Sequence, residues 1–160
     1  MNLAATAPAW LSLLLVALLI LAAAEDAWRM RISNLTVAAI LLGAVTAAIV
    51  AGPTLALWQN LVLFAGLLAV GVPMFAARKL GGGDVKLLAA SGLWFNLHGG
   101  LLMILWTVLA GGVLALLILF MRLFNWPERI RARVAVLRPG SGIPYGVAIA
   151  VGALIAASLN

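Results

Sequence analysis

Apolar residues fill this chain in four charge-free blocks, residues 1–24, 32–77, 87–121 and 139–160. A membrane-crossing helix needs about 20 apolar residues, so the outer blocks predict one span each and the middle blocks two. Polar positions in the blocks do not alternate as in a barrel strand, and backbone groups in lipid must be paired internally, which leaves helices. The expected fold is an all-α integral membrane domain over residues 1–160. It is a bundle of six transmembrane helices at about 3–24, 35–51, 56–77, 84–97, 100–122 and 144–159, with a basic loop at about 123–142.

The middle of this pattern is tight. The block 87–121 is short for two spans and a turn, so the fourth helix must begin near Gly83 or Asp84 and the fifth must run to about Phe124. Other boundaries follow from local chemistry. Asn34 suits a helix cap, Gly52-Pro53 a turn, Pro73 a bend near the end of the third span, and Pro144 the first turn of the last.

The charges orient the bundle. All ten basic residues fall in three clusters, Arg29 with Arg31, Arg78 with Lys79 and Lys86, and five arginines from Arg122 to Arg138; the four acids lie beside them. With six spans these clusters share one side, which the positive-inside rule makes cytoplasmic, and both termini face outward. A five-span reading puts the last arginines outside, against that rule. Leu11 to Ala24 has the look of a secretory signal, but residues 1–10 lack the basic segment such a signal carries.

Composition agrees: 66% of residues are hydrophobic and 9% charged, against about 25% charged in an ordinary soluble domain. The net charge of +6 is topological and implies no nucleic-acid partner. After Pro127, Ile130, Val134 and Leu137 recur on one face among arginines, which predicts a short amphipathic helix on anionic membrane lipid.

Candidate chemistry narrows quickly. The chain has no cysteine and one histidine, His98 on an outward turn, so no thiolate, metal or cofactor site is expected. Ser91 and Ser141 have no partner at a recognisable hydrolytic spacing. Two acids remain conspicuous at span boundaries, Asp26 and Asp84, the second closing the run Gly81-Gly82-Gly83-Asp84. Two carboxylates about 4 Å apart at an effective dielectric near 20 repel by about 4 kcal/mol, so one holds a proton while the other is ionised. Such a pair supplies an acid and a base to the hydrolysis of a peptide bond. Gly81, Gly82 and Gly83 admit the close approach of another backbone, and Asp84 also suits a helix cap. Lys86, two positions on, reads as an interfacial anchor, and Arg29 and Arg31 as topology determinants that also suit pairing with Glu25. Asn34, Tyr145 and Gly146 read as structural.

Asp26 with Arg31-Ile32-Ser33-Asn34, then Gly81-Gly82-Gly83-Asp84-Val85-Lys86-Leu87-Leu88-Ala89-Ala90, then Gly142-Ile143-Pro144-Tyr145-Gly146 resembles the type IV prepilin peptidases. The resemblance implies an aspartic endopeptidase of the bacterial inner membrane that removes the leader of a prepilin or pseudopilin on the cytoplasmic face. It implies catalytic roles for Asp26 and Asp84, and in an inner membrane the outward side that the charges give both termini is periplasmic. Two departures stand out. Ser33 occupies a place where the family usually has Pro, which would loosen the turn into the second helix. The paired cysteines of longer, methylating members are absent, so peptidase activity without N-methylation is expected, most like the peptidases of tight-adherence pili, with archaeal preflagellin peptidases sharing the plan. The competing readings are a small transporter, for which ionisable groups at mid-membrane are missing, and a noncatalytic pilus-assembly subunit.

Overall fold

A computed structural model describes residues 1–52, 54–124, 126–127, 129 and 142–159. The amphipathic stretch expected after Pro127 lies outside the described residues for most of its length. Seven α-helices are described: α1 Leu3–Thr6, α2 Ala9–Arg29, α3 Asn34–Ala51, α4 Trp58–Ala76, α5 Gly82–Gly92, α6 Leu97–Arg122 and α7 Tyr145–Ser158. A 3-10 turn at Leu55–Leu57 leads into α4, and no strand occurs among the described residues.

Four of these helices are long and apolar enough to cross a membrane: α2, α3, the 3-10 turn with α4, and α6. The other two sizeable helices, α5 with 11 residues and α7 with 14, span as helix only about 16 and 21 Å. These shorter helices occupy the centre. α5 packs on α3, α4 and α7, and α7 packs on α6, α2 and α5. The long helices instead turn much of their surface outward, with Leu13, Ile20, Leu61, Val70, Leu101 and Leu116 all more than half exposed. Lipid solvates such residues, whereas α5 and α7 survive by being covered with protein.

The shortage of residues between α5 and α6 is met by burying their turn. Trp94 and Phe95 are fully buried there, and the turn's polar groups find partners inside the protein. Asn60 Nδ2 donates to the carbonyl of Leu93 at 3.0 Å, the Ala4 amide donates to the carbonyl of Trp94 at 3.0 Å, and the Trp94 indole donates to the carbonyl of Ile40 at 3.0 Å. Non-helical backbone is tolerated below a membrane surface only where protein covers it in this way. Two small-residue contacts complete the packing. Gly152 of α7 lies against the backbone of Thr107 and Met103 in α6, and Gly100 of α6 lies against Leu63 of α4.

Helix ends differ from the sequence reading in detail. Pro8 separates α1 from α2, and α2 continues through Asp26 to Arg29, so Asp26 lies inside a helix. Ser33 rather than Asn34 caps α3, its hydroxyl accepting from the Leu35 amide at 3.1 Å; serine is the shorter acceptor and stands one place outside the first helical residue. Asn96 caps α6 by accepting from the Gly99 amide at 2.8 Å, which brings His98 into the first turn of the helix, still exposed.

Candidate active site

Three helix ends meet at one place. α2 supplies Asp26 one turn before its C-terminus, α5 supplies Asp84 in its first turn, and α7 presents the amides of its own first turn. Asp26 is buried, with 5% of its surface exposed, and its Oδ2 accepts from the Gly146 amide at 2.6 Å. The Val147 amide also faces it. A buried carboxylate needs such donors, and the unpaired N–H groups of a helix N-terminus are well placed to provide them.

Asp84 converges on the same group. Its carboxylate faces the amides of Gly81 and Gly146, and its charge interacts with that of Asp26. Asp84 stands at the third helical position, from which an acid can reach back toward the residue capping its own helix. Gly81 is that capping residue and brings no side chain to the task. Asp84 therefore has a local amide and a distant carboxylate as neighbours together. A side chain at Gly81 would press on Asp84 Oδ2, one at Gly82 on the Phe75 ring, and one at Gly83 on Ile32.

Both aspartates line two adjoining cavities. One, of about 340 Å³, is bounded by Met30, Arg31, Ile32 and Gly81 to Gly83. The other, of about 550 Å³, extends toward Phe75, Arg78, Leu80, Ile143 and Tyr145. The first has three glycines in its wall; the second mixes apolar and aromatic side chains with the cations of Arg78 and Lys79. Two wall residues, Met30 and Arg78, hold left-handed backbones at φ 53° and 58°. Each ends a helix where glycine is the easier choice, and such local strain often collects at functional sites.

The structure thus brings together Asp26, Asp84 and all three glycines of the run. It does not bring Lys86 into either cavity: its ammonium is exposed and donates to Asn34 Oδ1 at 3.0 Å, tying α5 to α3. Gly146, read from the sequence as structural, donates its amide to Asp26 and faces Asp84. Its place in the Gly142-Ile143-Pro144-Tyr145-Gly146 run was the available signal, but an amide donor has no side chain by which to announce itself. Glu25 accepts from the Ser33 amide at 2.9 Å and the Thr36 hydroxyl at 3.1 Å, so these groups, rather than Arg29 or Arg31, are the partners seen for it. Among the described residues no cluster of acids and histidines could hold a metal ion.

Fold and site define a helical membrane protein with a carboxylate-lined cavity where its helix ends meet. The chain belongs to the type IV leader peptidase family, whose sequence model matches residues 13–116. That stretch contains both aspartates and ends before Gly146. The protein is accordingly a peptidase. No curated protein and no solved structure matches it significantly.

Proposed function

We propose that this protein is an aspartic endopeptidase that cleaves the leader of a type IV prepilin or pseudopilin at the cytoplasmic face of the inner membrane, with Asp26 and Asp84 as its catalytic pair. The observation that carries this reading is that both carboxylates line the same two cavities, beside the Gly146 amide that donates to Asp26. The pair holds one proton between its members because both cannot ionise easily. The ionised member takes a proton from a water as its oxygen attacks the scissile carbonyl carbon. The protonated member gives its proton to the carbonyl oxygen. Collapse of the tetrahedral gem-diol breaks the C–N bond: the amine leaves with the proton that came from water, the other member takes a proton back from a gem-diol hydroxyl as the new carboxylic acid forms, and the pair returns to its one-proton state.

The cavity beside Gly81 to Gly83, where three residues lack side chains, suits the close approach of an extended peptide, and the apolar surface around it suits the hydrophobic helix that follows a leader. In this reading α5 and α7 complete six passes, the basic clusters lie on the cytoplasmic side and the termini lie in the periplasm. The chain has no cysteine, which favours cleavage without N-methylation and a role in tight-adherence or similar pilus assembly.

Coexpression with a candidate prepilin tests the reading. Leader removal by the wild type, and none by Asp26→Asn or Asp84→Asn at equal membrane abundance, is the expected result. Continued processing by both variants overturns the dyad. Mass spectrometry of the mature N-terminus reads methylation in the same experiment.

A further inference from the structure

The α2–α3 turn contains a contact that neither acid of the pair makes. One oxygen of Glu25, Oε2, accepts from the Ser33 amide at 2.9 Å and from the Thr36 hydroxyl at 3.1 Å, joining the end of α2 to the start of α3. Between these anchors lies Ile32, which packs on both segments that complete the site. A β-carbon on Gly83 would lie 3.3 Å from Ile32 Cβ, and one on Gly146 would lie 2.7 Å from Ile32 Cδ1. Ile32 is thus a wedge between the start of α5, which carries Asp84, and the start of α7, which holds Asp26.

We infer that Glu25 is a positioning residue of the candidate site: by clasping Ser33 and Thr36 it fixes Ile32, and Ile32 sets the separation of the segments on which Asp26 and Asp84 converge. Ser33 makes the clasp possible. Its φ of −66° is one that proline also adopts, but proline has no N–H to donate. The serine therefore does not loosen the turn. It replaces the stiffness of a proline ring with a hydrogen bond to Glu25 and a helix cap.

The activity arm of the test rests on the proposed peptidase function; the structural arm does not. Because the chain has no cysteine, the pair Ile32→Cys and Gly83→Cys can be introduced cleanly, and the Cβ separation implied at this site is close to the 3.5–4.5 Å of a disulfide. Oxidative cross-linking is followed in the full-length protein in native membranes with Glu25, Glu25→Gln and Glu25→Ala. Rapid cross-linking with Glu or Gln, both of which keep an acceptor oxygen, and several-fold slower cross-linking with Ala is expected. Thr36→Val removes one donor at nearly constant volume, so an intermediate rate is expected even if Glu25→Ala folds poorly. Without the engineered cysteines, Glu25→Ala is expected to lower kcat by about tenfold to a hundredfold, as for a displaced catalytic group, with KM little changed and with recovery in Glu25→Gln. Equal cross-linking rates in all variants overturn the inference whatever the activity shows. So does a loss of cross-linking in Glu25→Gln as large as in Glu25→Ala. If Asp26→Asn and Asp84→Asn retain cleavage, it is the peptidase mechanism that falls, and the clasp is still judged by its cross-link.

Discussion

The Gly146 amide donates to Asp26 Oδ2 at 2.6 Å across 120 positions of sequence. The bond requires the first turn of α7 to lie directly on the last turns of α2, and a glycine is needed for that approach. A β-carbon at position 146 would stand 2.8 Å from Asp26 Oδ2, 3.0 Å from Asp26 Cβ and 2.7 Å from Ile32 Cδ1. Gly146→Ala is therefore expected to abolish leader cleavage while destabilising the fold by about 1–3 kcal/mol, the usual cost of overpacking. Parallel measurements of processing and of thermal unfolding in detergent check it. Wild-type cleavage in this variant would mean that the amide contact has no part in the reaction.

The acid pair has a pH signature. Two like charges at one site titrate as a unit, so on the proposed mechanism activity should require the singly protonated pair and fall when the second proton binds at low pH or the first leaves at high pH. A bell-shaped kcat profile is expected for the wild type with a purified prepilin in detergent. A profile with one limb only would point to a single catalytic carboxylate.

Much of this arrangement was legible in the sequence, and the limits have physical causes. The charge-free blocks located the long helices because lipid tolerates few charges, and the basic clusters marked the helix ends where Asp26 and Asp84 lie. The central place of α5 and α7 was not legible: hydropathy registers apolar side chains and is blind to whether lipid or protein covers them. Ser33 and Asn34 are both capping residues, and only the backbone geometry at the helix start selects the first. Lys86 belongs to a motif rich in site residues, yet its side chain leaves the site for Asn34. The holding of Asp26 depends on an amide donor from a third helix, and every residue type but proline offers that group.

The contact between α6 and α7 gives a prediction independent of catalysis. A β-carbon at Gly152 would run into the backbone amide of Thr107 and the carbonyl of Met103, neither of which can rotate away, while one at Gly112 meets nothing within 4 Å. Gly152→Ala is expected to lower the unfolding temperature and Gly112→Ala to leave it nearly unchanged. The gap is set by an overpacking cost of about 1–3 kcal/mol, and comparable melting curves for the two variants would contradict the close crossing.

Asn60 is the support of the buried α5–α6 turn. It is 2% exposed, and its Nδ2 satisfies the carbonyl of Leu93. Replacing it with leucine keeps the bulk but leaves that carbonyl without its donor at a depth where water is scarce, a loss of about 1–3 kcal/mol. Asn60→Leu should therefore unfold at a lower temperature than wild type, and should lose cleavage only to the extent that the fold is lost. A variant that is as stable as wild type would show that water reaches this turn.

Topology is open to a direct measurement, because a cysteine-free chain gives single-site labels without background. Trp28 at the end of α2 and His98 at the start of α6 are both exposed positions, and in the six-pass reading they face opposite sides of the membrane. Trp28→Cys is expected to react with a membrane-impermeant maleimide only after the cytoplasmic face is opened, and His98→Cys in intact spheroplasts. The distinction bears on the chemistry as well as on the orientation, since Trp28 lies two positions from Asp26 on the same helix. If both positions label from one side, then α3, α4 and α5 do not make three crossings between them, and a cytoplasmic site for leader cleavage loses its topological support.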